Sequence, residues 1–379
     1  MAMNLRLKFS LSFLTVFCVL VLLAVATRTP AAPGELSVTG TTAVRRFSHT
    51  ATLMPNGRVL VAGGMERNGV WLDSAEIYDP MAGRFAETGN MHAQRAGAAA
   101  ILLENGKVLI AGGNDASGKS LASAEIFDPA TNAFSTAGSM SSPRGHAAAI
   151  LLKTGRVLIA GGSASGDDDQ LTTAEIYDPA TGRFTPTGSM HFRRSAFTAT
   201  LLKDGRVLVA GGLSGGQYPY HKVEVTAEIY HPSTGRFSET APMSVPRYKQ
   251  GAALLTDGKV LIAGGSNENG RQITYSSTEI FDPQTGRFST GPQMKFSRYK
   301  LLSGIVTLKD GRVLLAGGAE RPEIFDPTRN VFTAVNGAAL EGYLFSTATL
   351  LPDGRVLLVD GYGRHSGDGA VNQALIWRP

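Results

Sequence analysis

One cysteine occurs in the 379 residues, Cys18, and it lies in an apolar stretch near the start of the chain. Residues 19–379 therefore carry no thiol, which excludes disulfides, cysteine metal ligands and a thiol nucleophile from that part. Histidine is scarce too: seven residues, scattered, with no His-x-His or HExxH spacing. No metal centre is expected, and no cofactor. The surplus of one charge sign is small, 36 Lys and Arg against 31 Asp and Glu, for a formal net charge of +5. Nucleic-acid binding usually shows as a clustered basic face, so no nucleic-acid partner is expected.

Long apolar runs are also missing, with one exception. Residues 9–26 are uncharged and mainly apolar, follow Arg6 and Lys8, and end in Ala24-Val25-Ala26 before a Thr/Pro/Ala-rich spacer. This pattern marks an export signal with an A-x-A cleavage site. The run is also close to the ~20 residues that span a bilayer, so residues 1–32 are assigned as a signal peptide or, uncleaved, as an N-terminal membrane tether with its spacer. Val16-Phe17 before Cys18 lacks the small residues of a lipid-attachment site. Either way residues 33–379 are expected outside the cytoplasm: secreted, periplasmic or at the cell surface.

What the chain has in abundance is glycine, 45 residues, against a usual share of ~7%. Much of it falls in one recurring stretch, Gly57-Arg58-Val59-Leu60-Val61-Ala62-Gly63-Gly64. Near-copies run 106–113, 155–162, 205–212, 258–265 and 311–318, and a worn seventh, 354–361, ends Asp360-Gly361. Self-similarity at roughly 50 residues marks units too thin to bury their own faces, which must stack on their neighbours. In the third copy, residues 147–152 form a first strand, and Gly155 closes a turn that elsewhere is Asn56-Gly57 or Asp204-Gly205, a strong hairpin signal. Residues 157–160 are a continuous apolar second strand, as expected where both faces are covered. Residues 174–177 are a third and 184–187 a fourth, where Pro186 removes a ladder donor and so belongs on an edge. The unit is a four-stranded antiparallel blade.

The seventh blade lacks a fourth strand at the end of the chain, and the beginning supplies it. Residues 34–41 align without gaps on 182–189, and agreement continues to Arg45-Arg46 over Arg193-Arg194. The fold class is all-β: a seven-bladed β-propeller over residues 33–379, closed by its N-terminal strand. A monomer is expected.

An aromatic stands in every third strand: Tyr78, Phe127, Tyr177, Tyr230, Phe281, Phe325 and Trp377. A second follows the turn proline by five residues: Phe85, Phe134, Phe184, Phe237, Phe288 and Phe332. With the Gly-Gly, this pattern resembles the kelch repeat over residues 34–379, although that family usually has Trp where this chain has Phe. The resemblance implies a galactose oxidase-like propeller fold. It implies no single activity, since kelch propellers include oxidases, a sugar epimerase and many binding modules.

Binding residues usually sit on variable loops held by a rigid frame, and here those loops fall at one end of the ring. An arginine recurs before each first strand (Arg46, Arg95, Arg144, Arg194, Arg247 and Arg298), matched by a third-strand glutamate (Glu76, Glu125, Glu175, Glu228, Glu279 and Glu323). Blade seven has Tyr343 and Leu375 in these places. Both charges vanish together, as a buried pair requires, so a structural pairing is preferred to a basic ring. Departures from the repeat are the better ligand candidates: Tyr218, Tyr220 and His221 in the long loop of blade four, Arg247-Tyr248-Lys249 and Arg298-Tyr299-Lys300 entering blades five and six, and Tyr343 with the loop Tyr362-Gly363-Arg364-His365 of blade seven. Together they form an aromatic and basic half-crown suited to a glycan or an acidic peptide; the alternative is ordinary loop drift. Asp167-Asp168-Asp169 lacks a calcium-loop spacing and is taken as a solvated tip.

Two functions are carried forward. The first is an exported interaction scaffold for a protein or glycan ligand. The second is a carbohydrate-active enzyme resembling the kelch-type sialic-acid epimerase, or a lyase, with Arg247, Arg298, His221 and His365 acting near an anionic sugar. Binding is preferred, because no carboxylate outside the paired set obviously joins those residues. A copper-radical galactose oxidase is not expected: in that enzyme a tyrosine is joined to a cysteine, which the exported part lacks.

Overall fold

A computed structural model of the chain describes residues 34–66, 69–166, 168–215, 221–267, 273–337, 344–359, 361–363 and 370–379. The apolar leader, Tyr218, Tyr220, Tyr343, Arg364 and His365 lie outside them. The described residues form seven antiparallel blades. Blade three is typical, with strands Ala148–Leu151, Val157–Ala160, Ala174–Asp178 and Arg183–Pro186 hydrogen-bonded in chain order. Pro186 sits on the outer edge, where a missing donor costs no ladder bond. The seven first strands contact one another in turn, from Thr50–Leu53 of blade one round to Thr347–Leu350 of blade seven and back, and so surround the central axis.

The continuous apolar second strands have a geometric explanation. Side chains of a strand alternate between its two faces, and here each face meets a different neighbour. In blade one, Leu60 and Ala62 join a core with Val108 and Ile110 of blade two, while Val59 and Val61 join one with Leu357 and Val359 of blade seven. The other five interfaces are built in the same way. No blade owns a core; each core lies between two blades.

The recurrent aromatics stand opposite one another. Tyr177 pairs with Phe184 across the outer two strands, their ring centroids 4.8 Å apart, and Tyr78–Phe85, Phe127–Phe134, Tyr230–Phe237, Phe281–Phe288 and Phe325–Phe332 repeat this at 4.9 Å. In blade seven the N-terminal strand Glu35–Thr41 pairs with Gln373–Trp377 and sets Leu36 opposite Trp377. A larger ring faces a smaller side chain, so the outer layer is filled as in the other blades. Asn336–Gly337 adds a short parallel strand outside Glu35 and Leu36.

The turns between first and second strands share one detail. Only the glycine takes positive φ (80° at Gly57), while the Asn56 side chain accepts the amide of Arg58 at 3.0 Å. The Asn or Asp acts as a hydrogen-bonding turn residue.

The arginine–glutamate pairing is the frame of each blade. Arg46 donates Nη1 to the carbonyls of Gly63 and Ser74, and Nη2 to Glu76 at 2.7 Å. The other five pairs lie at 2.7–3.2 Å. All six arginines are 0–1% exposed. Burial pulls the Arg298 guanidinium below its ordinary value, and Glu323 opposes that pull. The glutamate also accepts backbone amides of its own entering loop, as Glu125 does from His92 and Ala93. The Gly-Gly then packs against the next blade: a Cβ at Gly112 would lie 2.2 Å from the carbonyl oxygen of Arg144. The contact recurs across the closure, where Gly361 donates its amide to Arg46.

Deleting residues 34–44 should expose the blade-seven edge and cause aggregation or a lowered melting temperature; a monomeric truncation that melts like the parent would show that the ring closes without this strand. Replacing Glu323 by Leu should cost roughly 3–5 kcal/mol in urea unfolding, because Arg298 is left buried and unpaired, and adding Arg298→Met should restore much of it. Equal losses in the single and double variants would argue against a paired charge.

Candidate functional site

After each arginine the chain turns sharply into its first strand, and the turning residue takes a left-handed conformation. The equivalent positions are Ser48 (φ 53°), Gly97 (63°), His146 (53°), Ala196 (50°), Lys249 (52°), Lys300 (61°) and Phe345 (57°). Outside glycine this conformation is uncommon and costs on the order of 1 kcal/mol or more, so it persists only where the surroundings impose it. They do so here. The residue before the turning one bridges to the strand exit beyond the second glycine, as Gly145 does to Ser163 and Tyr248 to Ser266, and the turning residues bond to one another. Gly97 donates to Ser48, His146 to Gly97, Ala196 to His146 and Lys249 to Ala196, at 2.9–3.1 Å. At blade six the link slips by one residue, Leu301 to Lys249, where the loop is longer. With Phe345 donating to Lys300 at 3.4 Å, the hydrogen-bonded rim runs from blade one to blade seven.

Inside the rim lies a cavity of about 300 Å3, bounded by first-strand residues of six blades and, at blade six, by Lys300, Leu302 and Ser303 of the entering turn. Its polar lining includes the hydroxyls of Ser48, Thr50, Thr198 and Ser303, the imidazoles of His49 and His146, and Lys300; none of the described lining residues carries a carboxylate. Alanines dominate the rest, for example Ala98–Ala100 numbered 98–100 and their counterparts 147–149, and keep the bore open.

On one side of the rim the aromatic and basic residues gather. Lys249 Nζ lies 4.9 Å from the centroid of Tyr248, 5.6 Å from Phe345 and 5.9 Å from Tyr299. Lys300 Nζ lies 5.0 Å from Tyr299, 4.7 Å from Phe345 and 4.9 Å from Tyr362, and donates to the Tyr362 hydroxyl. Tyr248 and Tyr299 share a 2.6 Å bond between their hydroxyls, and Phe47 packs on Phe345 and Tyr362. Ring faces attract ammonium groups, and both lysine Nζ atoms lie against the rings of Tyr299 and Phe345.

The sequence-derived candidates therefore divide. Tyr248, Lys249, Tyr299 and Lys300 come together, with Lys300 lining the cavity while Tyr248 (0% exposed), Tyr299 and Lys249 are buried behind it. Arg247 and Arg298 need correction: both are 0% exposed and committed to Glu279 and Glu323, so neither faces a ligand. His221 is buried as well, with Nε2 3.4 Å from Asp168 beneath two short hairpins, Ser163–Ser165 with Asp168–Gln170 and Leu213–Gly215 with Lys222–Val223. Tyr362, from the blade-seven loop, joins Lys300 as the sequence suggests, whereas Phe345, His49 and His146 were not singled out from sequence. Their signal was available, because Lys249, Lys300, Phe345 and His146 occupy one column of the repeat, two residues after the arginine position.

His49 sits under the rim with Nε2 3.1 Å from Thr347 Oγ1. Burial, and secondarily the charge of Arg46, lowers its pKa to about 3, so the imidazole is neutral at ordinary pH. The unfolded chain takes up this proton near pH 6.5 and the folded chain only near 3. Its contribution to stability is complete above pH 6.5 and falls below it, by about 1.4 kcal/mol per pH unit. The His49→Gln protein should show a flatter dependence of urea midpoint on pH between about 6 and 4; an unchanged slope would show that His49 does not titrate in this way.

Three segments, residues 46–92, 104–141 and 247–295, match the kelch motif. Among solved structures, a fungal alcohol oxidase of the AA5 family, in complex with copper, resembles this chain with a TM-score of 0.71 at 18% identity, over 91% of this chain and 76% of that one. At that identity the likeness shows the fold alone. No curated protein matches. Among the described residues no three His, Cys, Asp or Glu side chains gather as a metal site would require.

Proposed function

This chain is a seven-bladed propeller with kelch motifs in three segments, and on that premise we propose that it is an exported binding scaffold, holding a protein or glycan ligand on its rim face. The observation that carries the reading is the nest of Lys249 and Lys300 against Tyr248, Tyr299, Phe345 and Tyr362 at the mouth of the axial cavity. An ammonium backed by ring faces suits sugar hydroxyls, acidic groups and the apolar faces of sugar rings alike. Tyrosine is also enriched where binding energy concentrates. The rim is hydrogen-bonded from blade to blade and seated on buried ion pairs, so the site is organised before a ligand arrives, which lowers the ordering cost of binding. The two paired hairpins of blades three and four stand side by side at the loop end and enlarge the face. Export is read from the apolar leader, and a domain without cysteine tolerates an oxidising compartment.

Binding is favoured over turnover because none of the cavity's described lining residues is an Asp or Glu, and His49 shares a hydrogen bond with the Thr347 hydroxyl. The test is a screen of residues 33–379 against a glycan array and cell-surface protein fractions, beside a Lys300→Glu copy. Charge reversal at the mouth should weaken the recovered ligand about tenfold or more. A ligand held equally by both proteins would move the site off the rim, and the absence of any ligand would count against a scaffold.

A further inference from the structure

We propose that the tight-turn end of the propeller, opposite the rim, is a membrane-docking face that lies on a bilayer carrying anionic lipid headgroups. The inference rests on the turns and is independent of what the rim binds.

Contacts between the two kinds of turn define this end. In blade one, Arg58 of the first turn reaches Asp79 of the second at 3.0 Å, and Arg206 and Arg355 each donate to the second turn of the next blade, at Pro283 and Pro80. In every blade the first turn joins strand partners six residues apart, as Leu53 and Val59 are. No insertion protrudes there; the variable loops are confined to the rim end. An end built from short turns of one length is level, which suits a bilayer better than a narrow groove-seeking ligand.

Charge is uneven across this end. At blades three and four the turns bring Lys153, Arg156, Arg183, Lys203, Arg206 and Arg236 against Asp178 and Asp204. In blade five the same turns hold Lys259 and Arg287 against Asp257 and Asp282, and the charges balance. The surplus comes from departures from the repeat. Thr154 stands where the other first turns have Asn or Asp, and His231 where the other second turns have Asp. Asp204 is already held by Arg206 at 2.7 Å, and Glu104 of blade two borders the sector beside Gly155. Lys153 donates to the carbonyl of Lys203, and Lys203 to that of Thr256. These bonds fix both lysine stems between blades, and an ammonium has three donors in all. Anionic lipid surfaces attract clustered Lys and Arg in this way.

Two further observations point to a bilayer and not to a soluble polyanion. Met81, 93% exposed, takes the second-turn position that is Ala130, Ala180 and Ser233 in the next three blades; an apolar side chain beside basic ones is the pattern of interfacial binding. The chain also enters the propeller at this end. Gly34 donates its amide to Arg378 at 2.7 Å, and a Cβ at Gly354, in the first turn of blade seven, would lie 3.8 Å from Pro379. Residues 27–33 separate the apolar run from Gly34, a reach of roughly 30 Å at full extension. A retained tether of that length joins the propeller at its basic end, and docking there turns the rim outward.

Residues 34–379 hold every blade and the closing strand, so the test uses residues 33–379, without the apolar run that would enter any vesicle. Cosedimentation is measured with vesicles of phosphatidylcholine and of phosphatidylcholine mixed with phosphatidylglycerol. The proteins are the parent, the double variant Arg156→Glu with Arg236→Glu, and Lys119→Glu in a loop at the rim end. The parent should bind mixed vesicles at least tenfold tighter than neutral ones, and less tightly at high salt. The double variant should lose at least tenfold, since each Lys or Arg near an anionic surface is worth about fivefold, and Lys119→Glu should bind as the parent does. Equal binding to both vesicles, an undiminished affinity in the double variant, or an equal loss in Lys119→Glu would each overturn the proposal. So would capture of polyglutamate or a DNA duplex without capture of mixed vesicles, which would assign the face to a soluble polyanion. Should the double variant fold poorly, acetylation of the parent gives a second readout: mixed vesicles should slow it at Lys153 and Lys203 and not at Lys119, and equal rates with and without vesicles would also overturn the proposal. Vesicles probe the turn end and the ligand screen probes the rim, so either idea can fail while the other stands.

Discussion

Six buried guanidinium groups hold the working end of this propeller in place. Each ties three pieces of backbone together: the entering loop that carries it, the Gly-Gly that ends the second strand, and the start of the third. With the arginine anchored, the next two residues have one route into the first strand, and that route passes through the left-handed region. In six blades the rim turn is tied to the ion pair, and Phe345 of blade seven takes the same conformation where the sequence has Tyr343 and Leu375 in place of the pair. Such pairs contribute little net stability once desolvation is counted; what they supply is a unique geometry, since an alternative packing would strand a buried charge. Blade seven dispenses with the device. Leu375 occupies the glutamate position in an apolar core with Leu358 and Trp377, and the N-terminal strand laid along its outer edge anchors the blade instead.

This arrangement separates what repeats from what varies. Cores between blades, aromatic pairs in the outer strands and clamps at the loop end are nearly the same all round, so the frame is rigid and close to symmetric. At the rim the seven turning residues are Ser, Gly, His, Ala, Lys, Lys and Phe, and hardly two are alike. A symmetric frame carrying an asymmetric rim gives one charged, aromatic side to an otherwise uniform opening. Ligand chemistry can be altered there at single positions without disturbing a blade interface.

Glycine has two roles that the sequence alone does not separate. In the Gly-Gly pairs it lets a strand end against the backbone of the next blade, where a Cβ would collide with a carbonyl. At Gly97 it clears room for the imidazole of a neighbouring rim residue, and so shapes the mouth. The first role is repeated and the second occurs at one position.

The sequence by itself determined the blade, its four strands, the number of blades and the closing strand, because each rests on local signals repeated many times: an apolar run, a turn, an aromatic at fixed spacing. It also showed the arginine and glutamate as a pair, since both disappear together in blade seven. It did not separate Arg247 from Tyr248 and Lys249, adjacent in the chain and all polar or aromatic. Only the tertiary structure assigned the first to the frame and the others to the nest, because which way a residue faces at a sharp turn depends on what the turn is tied to. His49 and Phe345 were hidden for the same reason. Their neighbours come from other blades, and no spacing along the chain records a meeting across the axis.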